Sequence, residues 1–399
     1  MPRVLRIINR LNLGGPTFNA AYLSHYMAPE FETMLVAGMI DDSEESSEFI
    51  THQMGLKPVY VPEMYREIDV LKDRKAYKKI KNIIAEFKPD IVHTHAAKAG
   101  TLGRLAAASL KVPVILHTFH GHVFHSYFGP TKTRMFLEIE RYLAKKSSRI
   151  IAISQRQKQE LGLIYKVAPL DKIEVVHLGF DLEKFYTNIS EKRAAFRKKY
   201  LVDDDEVVVS IIGRLVPVKN HQLFLKAAQY VLQNTKKRVR FFIVGDGEER
   251  ENLLQLTNSM NLNNTFFPKE AIKADVTFTS WIKDVDVVNA GSDVIALCSL
   301  NEGTPVSLIE AQAANKPIVT TRVGGIQDVV LTNETALVTS IKNEAGFEKN
   351  LLRIIEDEEL RNSMSQKGMQ HVKDDFSYQR LVENMSQLYK RLLNETAQK

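Results

Sequence analysis

At 399 residues the chain is too long for one ordinary domain and sets an expectation of two, at roughly 100–200 residues each. Its 44% hydrophobic and 26% charged residues are those of a soluble globular protein with full cores, and its single cysteine, Cys298, excludes a disulfide framework or a thiolate-rich metal site. The net charge of +6 lies wholly in the first half: residues 1–185 hold 26 Lys and Arg against 20 Asp and Glu, while the remainder balances at 28 of each. The opening MPRVLRIINR turns polar too early for a signal peptide. No apolar run approaches the ~20 residues of a membrane span, so a cytoplasmic protein is expected.

Short β-branched runs alternate with helix-length amphipathic stretches, the pattern of parallel sheets covered by helices. Strands are expected at 4–8, 33–38, 90–95, 112–119, 149–154 and 172–178, with long helices over 71–87, 97–110 and 131–146. The pattern lapses in GFDLEKFYTNIS (179–190), and a charged segment, SEKRAAFRKKY, follows. Strands resume at 206–213, 239–245, 294–299 and 317–323. The reading is α/β throughout: two doubly wound units, 1–185 and 186–373, with a last helical segment beginning at 374. Ligands of such sheets bind outside the carboxyl ends of the strands, and two such units facing each other make a cleft.

The motifs follow the same order. Gly14-Gly15 stands between a strand and a helix, where close backbone approach to a ligand and a plain turn are equally good accounts. The run Lys72, Arg74, Lys75, Lys78, Lys79 and Lys81 reads either as a solvated helix face or as attraction to anionic lipid or another polyanion. Lys75, Lys78 and Lys79 can share one helix face. His93, His95, His117, His120, His122 and His125 are dense enough to invite a zinc reading. No Cys or carboxylate joins them at metal spacing, so no metal site is expected. His120, just past a strand, is placed to hydrogen-bond a sugar.

In the second half, GRLVPVKN (213–220) follows a strand directly, so Gly213 permits a tight exit and Arg214 and Lys219 become available at the strand's carboxyl end. Two cations there can hold a diphosphate, although two surface cations after a strand are commonplace. IVGDGEER (243–250) is neither GxGxxG nor a P-loop, and its glycines read as turn residues. In SLNEGTPVSLIEAQAA (299–314), Thr304 is the expected N-cap and Pro305 the first helical residue. The N–H groups of Val306, Ser307 and Leu308 would then face an anion. Glu302 precedes the cap and Glu310 lies one turn in. The layout suits a phosphate flanked by hydroxyl-bearing groups, as in a sugar nucleotide; ordinary helix capping is the competing account.

Taken in order, Gly14-Gly15, DIVHTHAAKAG, HTFHGH, IAIS, GRLVPVKNH, VGDGEE, EGTPVSLIEA with its Glu302-to-Glu310 spacing, and TRVGG resemble glycosyltransferase family 4 over residues 14 to about 330. The resemblance implies a GT-B fold: two Rossmann-like domains facing a central cleft, with the last helix, within 374–399, crossing back to the first. It implies retaining transfer from a nucleotide diphosphate sugar, with no metal or other cofactor and no dedicated general base. Arg214 and Lys219 would bind the donor diphosphate, and Glu310 the ribose. Glu302 and the backbone of Gly303, Thr304, Pro305 and Val306 would hold the transferred sugar. His120 would contact that sugar, Gly14-Gly15 would approach the diphosphate and acceptor, and Trp281 and Ile282 would lie near the base. UDP is favoured over GDP on family frequency alone. The chain departs from the family pattern at Asp328 (usually Glu), Ala336 (usually Gly) and Ser280 (usually Gly). A sugar-nucleotide 2-epimerase of the same fold is the main rival, though it lacks the pairing of EGTPVSLIEA with GRLVPVKN. A catalytically silent nucleotide-sugar binder is disfavoured by intact Arg214, Lys219 and Glu302. A nucleic-acid role lacks any reading motif, and the basic run holds Tyr77 as its one aromatic.

Overall fold

The central expected strand runs, 4–8, 90–95, 206–213, 239–245 and 294–299, are buried almost throughout, as strands of a parallel sheet are when helices cover each side. A computed structural model describes the chain except residues 13–14, 41–45, 66, 122–129 and 399. It divides into two compact units: Met1–Phe180 with Phe376–Lys399, and Asp181–Asp375. The lapse read at 179–190 begins at the first of these divisions.

Among the described residues, unit 1 carries β1 (Arg3–Ile8), β2 (Glu32–Ala37), β3 (Val59–Tyr60), β4 (Ile91–His95), β5 (Val114–Phe119), β6 (Arg149–Ala152) and β7 (Ile173–Val175). They form one parallel sheet in the order β3-β2-β1-β4-β5-β6-β7. Helices Val70–Phe87 and Ala97–Ser109 cover one face through Ala76, Ile80, Ile84, Ala99 and Ala106. Helices Gly15–Tyr26 and Tyr378–Ala397 contribute to a cluster with β1, β4, β5 and β6 residues. The expected last helix therefore belongs to unit 1. It buries Leu381, Met385, Leu388, Tyr389 and Leu392, each large apolar side chain contributing roughly 1.5–3 kcal/mol when fully buried. Tyr389 also fixes its register, since its hydroxyl lies 2.6 Å from His93 Nδ1 on β4.

Unit 2 carries β8 (Val207–Ile212), β9 (Val239–Val244), β10 (Asn264–Phe266), β11 (Val276–Phe278), β12 (Val294–Leu297), β13 (Ile318–Thr321) and β14 (Ala336–Thr339). The order is β10-β11-β9-β8-β12-β13-β14, again parallel. The charged segment after 189 is helix Ile189–Lys199, whose Phe196 ring sits where a Cβ on Gly291 would come within 2.2 Å. Strand order reverses between β1 and β4 in unit 1 and between β8 and β12 in unit 2. At such switch points adjacent crossovers leave on opposite faces and open a crevice at the carboxyl ends. No described helix is long and apolar enough to cross a membrane.

Candidate functional site

Both diphosphate-binding segments expected from the sequence fall at the switch point of unit 2. The 213–220 loop leaves β8, and the 298–305 loop leaves β12, its neighbour. The loops are tied together by Leu300 N–H donating to Val218 O at 2.8 Å. Gly213 is fixed by donating to Val244 O at 2.9 Å, and Leu215 by donating to Asp246 O at the same distance. Gly245 (φ +141°) explains the Gly-Asp-Gly turn: a Cβ there would lie 1.9 Å from Gly213 O. That turn presses its backbone against the cation-bearing loop.

The TRVGG segment does the same for the carboxylate-bearing loop. Gly324 has φ +49°, and a Cβ on it would meet Glu302 O at 1.8 Å; one on Gly325 would meet Gly303 O at 2.0 Å. Gly325 N–H donates to Glu302 O at 3.1 Å, and Thr321 Oγ1 to Ser299 O at 2.7 Å. The Glu302 carboxylate then accepts from two donors on one oxygen, Lys219 Nζ at 2.6 Å and the Ser299 hydroxyl. Arg214 is exposed, and its guanidinium makes no ion pair or hydrogen bond among the described residues, although its backbone carbonyl accepts from Val216 N–H at 3.0 Å. One cation is thus pre-positioned by a carboxylate, and the other stands free.

The helix start departs from expectation by one residue. The helix is Val306–Ala313, and Pro305 rather than Thr304 is the N-cap, because Pro305 O accepts the first helical bonds, from Leu308 N at 3.1 Å and Ile309 N at 3.4 Å. Leu308 N–H is therefore committed within the protein. Those of Val306 and Ser307 find no acceptor among the described residues and remain for an anion. Glu310 keeps some accessible surface, and its carboxylate has no hydrogen-bond partner among the described residues. Burial pushes its pKa up to about 7; Lys184 works against that rise and Asp286 adds to it.

Ser280 stands in the left-handed region at φ +59°, the reason a glycine suits this place. Its hydroxyl donates to Asp246 Oδ2 at 2.7 Å, which offsets part of the backbone cost. Trp281 beside it is about half exposed, while Ile282 packs against the cluster around Phe196 and Phe242. Asp328 Oδ2 is enclosed without a partner among the described residues, and Ala336 begins β14.

In unit 1, Gly14, His122 and His125 lie outside the described residues. Gly15 is the first residue of its helix, and a Cβ on it would stand 3.3 Å from Leu178 Cδ1. His120 sits just beyond β5, with Nε2 2.9 Å from His95 Nδ1. The His95 ring lies 4.4 Å from that of His93, tilted by 31°, and His93 is held by Tyr389 and, at 2.7 Å, by Thr118 Oγ1. Burial pushes the His120 pKa down to about 3 and holds those of His93, His95 and His117 well below the ordinary histidine value. His95 as the support of His120, Ser299 as a second donor to Glu302, and the Lys219–Glu302 pair went unread in the sequence. Ser299, three residues before Glu302, was the nearest signal.

Two parallel-sheet Rossmann-like units with a polar cluster at the unit 2 switch point are the class of architecture that binds nucleotide-containing ligands at the carboxyl ends of its strands. Residues 13–184 match the pattern of Glycosyltransferase Family 4, and residues 192–371 that of Glycosyl transferases group 1. An Escherichia coli relative, UDP-Gal:alpha-D-GlcNAc-diphosphoundecaprenol alpha-1,3-galactosyltransferase, is 30% identical over 337 residues, 84% of each chain. The Staphylococcus aureus capsular polysaccharide biosynthesis glycosyltransferase CapM is 24% identical over 84% of this chain and 86% of its own. Among solved structures, Anabaena Alr3699/HepE in complex with UDP superposes with a TM-score of 0.81 at 17% identity, over 98% of this chain and 100% of that one. The chain belongs to glycosyltransferase family 4.

Proposed function

We propose that the protein transfers a hexose or N-acetylhexosamine from a UDP-sugar to a hydroxyl of a lipid-linked acceptor, with retention of anomeric configuration and without a metal ion, in cell-surface polysaccharide or glycolipid synthesis. The observation that carries this reading is the convergence of Arg214, Lys219, Glu302 and the free N–H groups of Val306 and Ser307 on one switch point. The E. coli relative, named for UDP-Gal and a diphosphoundecaprenol acceptor, supports the donor and acceptor classes.

In this reading the bond from the anomeric carbon to the diphosphate oxygen breaks. The leaving diphosphate is stabilised by Arg214, Lys219 and the helix start, donors already in place where negative charge develops. The acceptor oxygen bonds to the same face of the sugar, and its proton passes to a phosphate oxygen of the leaving group. Glu302 holds sugar hydroxyls with one oxygen while Lys219 and Ser299 occupy the other. Glu310 takes the ribose, Trp281 and Ile282 lie at the base, and His120, steadied by His95, contacts the transferred sugar. Because two cations and the free N–H groups would together carry the diphosphate's charge, the reading needs no divalent ion.

A thermal-shift panel of nucleotide sugars, with and without EDTA, tests the donor. A ligand at one hundred times its Kd should stabilise by about 2.7 kcal/mol. NMR of the product's anomeric proton then reads the stereochemistry. Stabilisation by no nucleotide sugar, or an inverted product, would refute the reading.

A further inference from the structure

The helix Val70–Phe87 opens on apolar side chains that face water. Ile68, Val70 and Leu71 are 68%, 79% and 76% exposed. The backbone beneath them is fixed, because Asp69 caps the helix by accepting from Leu71 N and Lys72 N at 3.0 Å each. A helical period of 3.6 puts Leu71, Arg74, Lys75, Lys78 and Asn82 on one stripe, and all five are exposed. The opposite stripe, Ala76, Ile80 and Ile84, is buried.

The ion pairs around this helix decide which cations are available. Lys79 is spent on Glu63 at 2.7 Å, and Asp73 is neutralised by Lys98 at 2.7 Å. Arg74, Lys75 and Lys78 make no ion pair among the described residues. The sequence grouped Lys75, Lys78 and Lys79; the structure puts Arg74 in place of Lys79. Of the remaining nearby acids, Asp69 is the cap, Glu67 lies before it, and Glu86 lies at the far end of the helix.

We propose that this tip and stripe dock the protein on an anionic bilayer. Ile68, Val70 and Leu71 enter the interface, and Arg74, Lys75 and Lys78 lie along the headgroups. The inference rests on the lipid-linked acceptor reading above and deepens it by naming the surface and its mode of contact. Charge complementarity selects the occupant. A second copy meeting this face about a two-fold axis would set Arg74, Lys75 and Lys78 against themselves. A polyanion without an apolar phase would leave Ile68, Val70 and Leu71 in water. An anionic membrane satisfies both halves of the patch.

The test is co-sedimentation of the full chain with vesicles of phosphatidylcholine containing about 30 mol% phosphatidylglycerol, and with phosphatidylcholine alone. Each well-placed cation contributes roughly fivefold to binding, so Arg74→Gln/Lys75→Gln/Lys78→Gln should weaken it about 100-fold. Ile68→Ser/Val70→Ser/Leu71→Ser should lose at least about tenfold, including whatever binding survives in ~0.5 M salt. Lys79→Gln, whose charge is already paired, should pellet like the wild type. Because Cys298 is fully buried, Leu71→Cys gives one accessible site for an environment-sensitive dye, whose emission should shift to the blue on anionic vesicles. Every variant should keep the wild-type melting temperature and affinity for UDP-sugar, which rest on the core and on unit 2. Absence of wild-type pelleting, equal pelleting by the variants, a dimer abolished by the same substitutions, or binding of a DNA duplex in place of vesicles would each overturn the proposal. Failure to bind a UDP-sugar would instead refute the proposed function and leave the vesicle result standing.

Discussion

Glu310 gives the proposed donor site a pH dependence that can be worked out in advance. Its carboxyl, ordinarily near 4.5, is pushed up to about 7 by burial, while a ribose contact of the kind proposed uses the ionised form. About 90% of the free protein is then ionised at pH 8 and about 10% at pH 6. The apparent Kd for a UDP-sugar should therefore rise about tenfold between them, because affinity scales with the competent fraction. Near pH 7, binding should release about half a proton, measurable by calorimetry in two buffers of different ionisation enthalpy. The same shift has a sign in stability. A carboxyl whose folded pKa is raised opposes folding above about 4.5 by up to ~3 kcal/mol once pH exceeds 7, less whatever water reaches it. Glu310→Gln should thus stabilise the unliganded protein at pH 8, weaken the donor, and flatten the pH profile. A Kd that is constant from pH 6 to 8 in the wild type, or unchanged in Glu310→Gln, would refute the argument.

Arg214→Ala and Lys219→Ala should each lower kcat by ~10²–10³, the usual size for one preorganised donor, whereas Glu310→Ala should act mainly on the donor KM. Steady-state kinetics with the division reversed would exchange the two roles. Transfer should continue at full rate in EDTA, and complete loss rescued by magnesium or manganese would show that the cations and helix start do not suffice. Acid should destabilise both units through buried neutral histidines. His120 in unit 1 and His221 in unit 2 have pKa values pushed down by burial to about 3 and about 4. The unfolded chain takes up these protons near pH 6.5, so stability is full above that value and falls by about 2 kcal/mol per histidine between pH 7.5 and 5. Urea titrations that separate the two transitions measure this, and a midpoint insensitive to pH in both would contradict it.

Ten of the fourteen described strands are legible in the sequence as β-branched runs, including the short β6, β7, β12 and β13. β1, β2, β4, β5, β8 and β9 carry five or six residues each, enough for β-branched runs to stand out. β3, β10, β11 and β14, which have two to four residues each, are missed in the sequence. They are strands because a neighbour offers a ladder, which no local window contains. The site divides in the same way. Arg214, Lys219, Glu302 and Glu310 were identified by type and place after strands. The Lys219–Glu302 pair joins residues 83 apart, and only the adjacency of β8 and β12 brings it about. The cap slipped because Thr304 and Pro305 are both good residues for a helix start, and the choice was made by which carbonyl met Leu308 N–H. Lys79 looked equivalent to Lys75 and Lys78 until the loop carrying Glu63 folded beside it.

Unit 1 takes its core from two stretches of the chain separated by the whole of unit 2, and that has a consequence for biosynthesis. When the ribosome has emitted the first 180 residues, Val4, Leu23, Met27, Ile91, Val114 and Leu116 still lack Leu381, Met385, Leu388, Tyr389 and Leu392. At ~5–20 residues per second, the roughly 200 residues in between take about 10–40 s to make. Unit 2, contiguous in the chain, has everything it needs before then. The nascent chain therefore carries an open apolar face for tens of seconds, a natural handle for chaperones. A premature stop between Asp375 and Tyr389 would leave a finished unit 2 joined to a unit 1 that cannot close its own core.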